Sequence, residues 1–365
     1  MDLEPVAAAM RRAVQLAERG LGATTPNPVV GCVILAADGS VIGQGWHERA
    51  GGPHAEIRAL AAAGERARGG TAVVTLEPCT HTGRTGPCAE VLIAAGVSRV
   101  AIGVADPTPR AGGGAQRLRE VGIEVIDGVE AQACEDVARH WLTAVRRGRP
   151  RVTWKLAATL DGRTAAADGS SRWITSAEAR ADVHRLRARC DAVLVGAGTV
   201  RADDPHLAVR GIEGARQPLR VVIDSAGAVP PTARVLDAAA PTLVIAGEDA
   251  PAQQLRRLRD AGVDVAVVPN AAKGVDLTAV LAELARREVI DLVVEGGARL
   301  AGSLVSLGVV DEVIAYLAPV LLGAGPAALG SAGIETIDDA LRLRPIDVTP
   351  FGPDIRLTAV TTLTN

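Results

Sequence analysis

His54 and Glu56 stand two positions apart in HAEIRAL, and Cys79 and Cys88 enclose eight residues in EPCTHTGRTGPC. A neutral imidazole and two thiolates are a set that zinc accepts as ligands. Structural zinc sites are usually closed by four protein ligands, so a set of three leaves a position for water and points to catalysis. Zinc lowers the pKa of such a water to about 7, which makes hydroxide available at neutral pH. On an ideal helix two positions are about 200° apart, so Glu56 is not expected to share the ion with His54. It suits general acid–base work instead, taking a proton from the water and passing it to the leaving group. A disulfide would explain the cysteines and leave the histidine and glutamate without a role.

The elements around these residues are those of an α/β chain. VVGCVIL from Val29, the turn AADG, and VIGQGWH from Val41 predict a β-hairpin. HAEIRALAAAGERA reads as a helix, TAVVTLEPC as a strand ending at Pro78, and CAEVLIAAGV as a second helix starting at Cys88. Amide dipoles at that helix start favour an ionised thiol. RVAIGVADP and QRLREVGIEVIDGV continue the alternation, which predicts a sheet between layers of helices. MDLEPVAAAMRRAVQLAERG predicts an amphipathic helix with Val6, Met10, Val14 and Leu16 as its buried stripe. RRGRPR, at Gly148 and Pro150, reads as a short linker. Beyond it, RVTWKL, DAVLVG, LRVVIDS, TLVIAG, VDVAVVP, IDLVVEGG and VDEVIAYLAPVLL predict strands, with helices at SAEARADVHRLRARC and LTAVLAELARRE. The expected domains are therefore 1–148 and 149–365, both α/β.

Bulk composition narrows the function. The 365 residues carry 48% hydrophobic and 22% charged residues, which suffices for two cores. Aromatics supply only 2%, so Ala, Val, Leu and Ile must fill those cores. A net charge of −3 argues against a nucleic-acid partner. Five cysteines, an odd number in a long chain, argue against a secreted disulfide scaffold. Acids and arginines interrupt the N-terminal apolar stretch, and no uncharged apolar run reaches the ~18 residues of a membrane span. The expected location is cytoplasmic, with no membrane partner.

Taken together, H-x-E ahead of P-C matches the zinc deaminase pattern. Two other readings share parts of it. A tRNA-editing deaminase would be expected to show C-x-x-C and a basic RNA-binding face. A structural zinc module would need a fourth ligand near Cys88, for which His81 is the nearby candidate. The longer P-C-x8-C loop, with TPNPVVGCVI upstream and GWHERAGGPHAE between, resembles the deaminase domain of the bifunctional riboflavin-biosynthesis deaminase/reductase family. The resemblance implies a cytidine-deaminase-like three-layer domain with one zinc ion on His54, Cys79 and Cys88, and Glu56 as proton shuttle. It places Asn27 and His47 in the substrate pocket, and His81 and Arg84 as candidates for holding a substrate phosphate.

The second half, read alone, offers a strand that runs into Gly296 and Gly297 and then a helix, a place for phosphate oxygens on backbone N–H groups. GAGTVRADDP from Gly196 begins G-x-G but has Arg201 in place of a third glycine, so it reads as a turn. KLAATLDGRTA, SRWITS, RLRARCDAVLVGAGTVRADDPHLAVR, VVIDS and VEGGARLAGSL then resemble, in order, the reductase domain of the same family. That resemblance implies a dihydrofolate-reductase-like α/β fold that uses NADPH. The implied NADPH contacts are Ala157, Trp173, Thr199, Asp203, Ser225 and the run Gly297, Ala298, Arg299, Leu300, Ala301, Gly302 and Ser303. The implied substrate contacts are Ser171, Arg187, Leu207, Arg210 and Glu295. Arg187 and Arg210 suit a phosphate through their guanidinium forks, and Lys155 is a candidate proton source. The resemblance implies deamination of a phosphorylated diaminopyrimidine, then reduction of its ribosyl group to ribityl. A homo-oligomer is expected from the family's habit. Cys32, Cys134 and Cys190 receive no role.

Overall fold

The computed structural model describes residues 4–81 and 86–362, so Arg84 lies outside the described residues. The chain divides into two compact units, Met1–Gly148 and Arg149–Asn365.

The first unit runs α1 (Glu4–Glu18), β1 (Gly31–Leu35), β2 (Val41–Trp46), α2 (Ala55–Ala63), β3 (Thr71–Leu76), α3 (Cys88–Ala95), β4 (Arg99–Val104), α4 (Gly114–Glu120), β5 (Glu124–Asp127) and α5 (Ala131–Arg147). Among the described residues its strands form one sheet in the order β2-β1-β3-β4-β5. β1 is antiparallel to β2 and β3, while β3, β4 and β5 are parallel. Ala55, Ala59, Ala89, Leu92 and Leu118 bring α2, α3 and α4 onto one face. Ala17 and Val137 bring α1 and α5 together over the other. The three-layer expectation is met.

Close approach replaces aromatic bulk in this core. A Cβ on residue 31 would lie 1.9 Å from the Ala13 carbonyl oxygen, and one on residue 43 would lie 2.2 Å from that of Ala59. Only glycine lets the helices sit so near the strands. The same packing corrects the buried stripe of α1. Val6, Ala9, Met10, Ala13, Leu16 and Ala17 are buried, while Val14 lies at the flank, half-buried. Ala13 and Ala17 sit where the helix backbone meets β1 at Gly31.

The second unit runs β6 (Arg151–Thr159), α6 (Ala177–Arg189), β7 (Ala192–Gly196), α7 (Ala197–Asp203), β8 (Leu219–Ile223), β9 (Thr242–Gly247), α8 (Ala252–Asp260), β10 (Asp264–Val268), the small hairpin β11 (Asn270–Ala271) and β12 (Gly274–Val275), α9 (Leu277–Arg286), β13 (Asp291–Val294), α10 (Ala298–Ser306), β14 (Glu312–Ala318), β15 (Leu343–Phe351) and β16 (Asp354–Thr361). Among the described residues its main sheet has the order β10-β9-β8-β7-β13-β6-β14-β16-β15. It is parallel from β10 to β14 and ends in two antiparallel strands. Val152, Trp154 and Leu156 of β6 pack into one core, as their alternation predicts. Some elements differ from expectation. GAGTVRAD closes into the short helix α7 rather than a plain turn, α8 was not foreseen, and neither was the β15–β16 hairpin. Pro345 and Pro350 on β15 mask its strand character, which an edge position tolerates.

The basic stretch RRGRPR is more than a linker. Gly148 ends α5 with φ 64°, but Arg149 pairs with Asp311 at 2.7 Å, and Arg151 enters β6 to pair with Asp291 at 3.1 Å and Glu312 at 2.6 Å. The buried Arg151 registers β6 between β13 and β14, whose first residues supply its acids.

Candidate active sites

In the first unit, His54, Cys79 and Cys88 come together from three chain segments. His54 is the residue before α2, in an extended conformation, so its ring turns off the helix axis. Cys79 follows β3, and Cys88 opens α3 behind Pro87. Glu77 fixes the segment that carries Cys79. Its buried carboxylate accepts N–H bonds from Asp106, Gly113 and Ala115 at 3.0, 3.1 and 2.9 Å. Gly114 passes so near that a Cβ there would lie 1.8 Å from the Pro78 carbonyl oxygen. Neither role was read from the sequence. The charge in EPC, at the end of an otherwise apolar strand, was the signal.

The donor set fits zinc. His54 Nδ1 lies 3.2 Å from Cys88 Sγ and 3.7 Å from Cys79 Sγ. All three ligand atoms lie within 4.8 Å of one another. Tetrahedral zinc, with bonds of about 2.0 Å to nitrogen and 2.3 Å to sulfur, sets its ligands roughly 3.5–3.8 Å apart. The electrostatics also call for a cation. The Cys88 thiol donates to Cys79 and holds that thiol low, as a thiolate, with help from His54. Cys88 is correspondingly pushed up, first by Cys79 and then by burial. Ionising Cys88 as well would set two thiolates side by side, an arrangement that a cation bound between them would stabilise.

Glu56, the second residue of α2, is buried beside this cluster, and burial raises its carboxyl pKa. A raised carboxyl pKa lies closer to neutral pH, where a general acid–base group works best. His47 is buried too and its pKa is lowered, chiefly by burial. Its Nδ1 lies 3.1 Å from the Pro53 carbonyl oxygen, so Nδ1 carries the proton and Nε2 accepts from the Asn27 amide at 3.3 Å. The His47 and His54 rings meet edge to face at 5.4 Å. The structure thus joins Asn27 and His47 to the cluster. His81 stands 6.5 Å from His54, ring to ring, and among the described residues its buried Nδ1 has no hydrogen-bond partner.

In the second unit several of the implied residues follow the C-terminal ends of parallel strands, where open α/β sheets bind ligands. Thr199 follows β7, Ser225 follows β8, and Gly297 follows β13. A Cβ on residue 297 would lie 3.7 Å from Thr199 Oγ1, so the starts of α7 and α10 adjoin. Within the α10 run, Ala301 is enclosed in the core. Gly302 is needed for packing, since a Cβ there would lie 2.3 Å from the Ser331 carbonyl oxygen. Trp173 is 69% exposed, with the Arg180 guanidinium 4.3 Å from its ring. Ser171 is half-buried, and Asp203 is exposed and accepts at its carbonyl from Arg172 at 2.6 Å.

Glu295 lies at the centre. It accepts from Arg187 Nε at 2.6 Å and Nη2 at 3.0 Å, and from Lys155 Nζ at 3.2 Å. Burial alone would raise its pKa, but Arg187 and Lys155 outweigh it and hold the carboxylate well below the usual range. The Arg187 fork is therefore turned to Glu295 rather than left open for phosphate, whereas Arg210 is exposed. Lys155 also stands 5.9 Å from the centre of the Tyr316 ring, beside Ala157 on the same strand.

The loop from His206 to Arg210 is held under strain. Leu207 is buried with φ 59°, a conformation that costs a side-chain residue about 1–2 kcal/mol. Arg220, fully buried, donates to the His206 carbonyl at 3.2 Å. Gln217 brackets Val209, accepting its N–H at 2.8 Å and donating to its carbonyl at 3.1 Å. Gln217 went unnoticed in the sequence because its partner is main chain, which leaves no residue-type trace.

A family model of the RibD C-terminal domain matches residues 150–357, more than half of the chain. The chain belongs to the RibD family. The cytidine and deoxycytidylate deaminase zinc-binding region matches residues 4–104. The riboflavin biosynthesis protein RibD of Escherichia coli K12 is 43% identical over 362 residues, covering 95% of this chain and 97% of that one. RibD of Acinetobacter baumannii, in its first form, superposes with a TM-score of 0.89 at 41% identity over 99% of this chain and 100% of that one. The Thermotoga maritima diaminohydroxyphosphoribosylaminopyrimidine deaminase/5-amino-6-(5-phosphoribosylamino)uracil reductase gives 0.86 at 33% identity, over 98% and 99%. As a RibD-family member the chain is a bifunctional enzyme of riboflavin biosynthesis, a zinc-dependent deaminase joined to an NADPH-dependent reductase. Its substrates are phosphorylated pyrimidines. Its second unit has the dihydrofolate-reductase-like fold. None of its described helices is long and apolar enough to cross a membrane.

Proposed function

We propose that the first unit deaminates 2,5-diamino-6-ribosylamino-4(3H)-pyrimidinone 5′-phosphate, with His54, Cys79 and Cys88 holding zinc. The observation that carries this reading is the convergence of those three ligand atoms beside the buried Glu56. Zinc, when bound, supplies a Lewis acid that makes water acidic enough to be a nucleophile near neutral pH. Glu56 takes the proton and delivers it to the departing 2-amino group. Asn27 and His47 orient the ring from a fixed neutral tautomer, so they donate and accept without changing charge. Enclosure of Glu56 keeps the transferred proton from bulk water.

The second unit then reduces the ribosyl group of 5-amino-6-(5-phosphoribosylamino)uracil to ribityl. NADPH, when bound, supplies the hydride. Ala157, Trp173, Thr199, Asp203, Ser225 and the run from Gly297 to Ser303 form its side of the site. Ser171, Arg187, Leu207, Arg210 and Glu295 form the substrate side, with Arg210 on the phosphate. Glu295 holds Lys155 and Arg187 in place, and Lys155 brings a proton to the opening sugar.

A homo-oligomer assembled through the second unit fits the exposed apolar side chains there, with Leu321 71%, Ile337 77% and Val348 63% exposed. A cytoplasmic setting fits the five free thiols. Incubating the purified protein with the diaminopyrimidine tests the two-step reading. One zinc per chain, ammonia release, and NADPH oxidation only after that release support it. NADPH oxidation without ammonia release refutes it.

A further inference from the structure

Helix α6 carries two polar side chains one turn apart, His184 and Arg187. Arg187 is accounted for by Glu295. His184 is not accounted for by packing or by any assigned role. Its Nδ1 accepts the backbone N–H of Arg210 at 3.2 Å. A ring nitrogen that accepts carries no hydrogen, so the neutral imidazole carries it on Nε2. Among the described residues that Nε2 has no hydrogen-bond partner and is not sealed from solvent. Its bond to the Arg210 backbone and its place one helical turn before Arg187 set the ring among the residues read above as substrate contacts.

We propose that His184 is a further substrate-positioning residue of the reductase site, donating from Nε2 to the phosphate that Arg210 receives. This rests on the reading above that Arg210 binds the substrate phosphate. With Arg187 and Lys155 turned to Glu295, Arg210 is the exposed cation of the proposed substrate side. A phosphate held by one mobile arginine is fixed in charge but not in direction. A rigid N–H beside it supplies direction. One imidazole thus grips the backbone that carries Arg210 and donates beside its side chain. Burial, then the charges of Arg187 and Arg210, lower the His184 pKa to about 4, so the ring is a neutral donor across the working pH range.

Two substitutions separate the ring's two nitrogens. In His184→Asn the amide oxygen takes the place of Nδ1 and still accepts from Arg210, but the Nε2 donor is gone. In His184→Gln the amide nitrogen reaches the place of Nε2. Both, with Arg210→Ala, are assayed for NADPH oxidation with 5-amino-6-(5-phosphoribosylamino)uracil and with its dephosphorylated nucleoside. His184→Asn is expected to lower kcat/KM for the phosphorylated substrate about tenfold through KM, the loss of one hydrogen bond to a charged group. Its kcat/KM for the nucleoside, its KM for NADPH and its ammonia release stay unchanged. His184→Gln recovers most of the loss. Parent-like behaviour of His184→Asn, or an equal loss on both substrates, overturns the proposal while leaving the phosphate reading intact. Failure of Arg210→Ala to discriminate between the substrates overturns that reading and the proposal with it.

Discussion

Nδ1 of His54 lies 3.2 Å from Sγ of Cys88, although 34 residues separate them in the chain. With Cys79 Sγ they form a set whose ligand atoms all lie within 4.8 Å of one another, close enough to share one ion. Chelation is therefore expected to remove zinc and ammonia release together while sparing NADPH oxidation with the deaminated substrate. Metal analysis before and after dialysis against chelator, alongside both assays, checks this. Loss of both activities at equal rates would count against two independent sites.

Glu56→Gln keeps the shape of the buried side chain and removes its proton-transfer capacity. The variant should retain zinc and lose ammonia release by about 10²–10⁴-fold. Because burial disfavours the Glu56 carboxylate, an uncharged amide should leave stability unchanged or slightly raised. Thermal unfolding and metal content, measured beside ammonia release, decide between a chemical and a structural role.

Glu295 links stability to pH. Its folded pKa is held below the unfolded value of about 4.3. Its stabilising contribution is thus fully present above about pH 4.3 and fades as pH falls through the folded value. Glu295→Gln leaves Lys155 and Arg187 buried without their acid, which should cost about 3–5 kcal/mol near neutral pH. The difference in unfolding midpoint between parent and variant should hold from pH 7 to 5 and narrow below about pH 4. A difference that grows with acidity would contradict the assignment.

Gly31→Ala tests the close packing of α1 on β1. The new methyl would enter the space of the Ala13 carbonyl, and overpacking of this kind costs about 1–3 kcal/mol or more. Urea unfolding should show the loss, with ammonia release falling in proportion to the folded fraction.

Gln217→Ala removes both hydrogen bonds that bracket Val209. The strained loop from His206 to Arg210 should relax, raising the reductase KM for its uracil substrate about three- to tenfold, while ammonia release is untouched. Steady-state kinetics on both steps checks this. A parent-like KM would show that Leu207 holds its conformation without Gln217.

Much of this protein was written in residue types and spacing. The alternation of apolar runs and turns gave the order of strands and helices, because burial on a sheet or helix face imposes a period on the chain. His54, Glu56, Cys79 and Cys88 could be singled out because metal ligation and proton transfer demand particular atoms that few residues supply, and the fold brings the three candidate ligand atoms together. Resemblance extended the reading to the reductase residues. What remained hidden depends on partners distant in sequence. Only the fold turned the Arg187 fork to Glu295, set Glu77 under three backbone N–H groups, bent Leu207 into a strained conformation and aimed His184 at Arg210. Backbone groups are the same at every position, so a side chain that answers to them leaves no mark on the sequence. A charged pair across a parallel sheet exists only once the strand order is set.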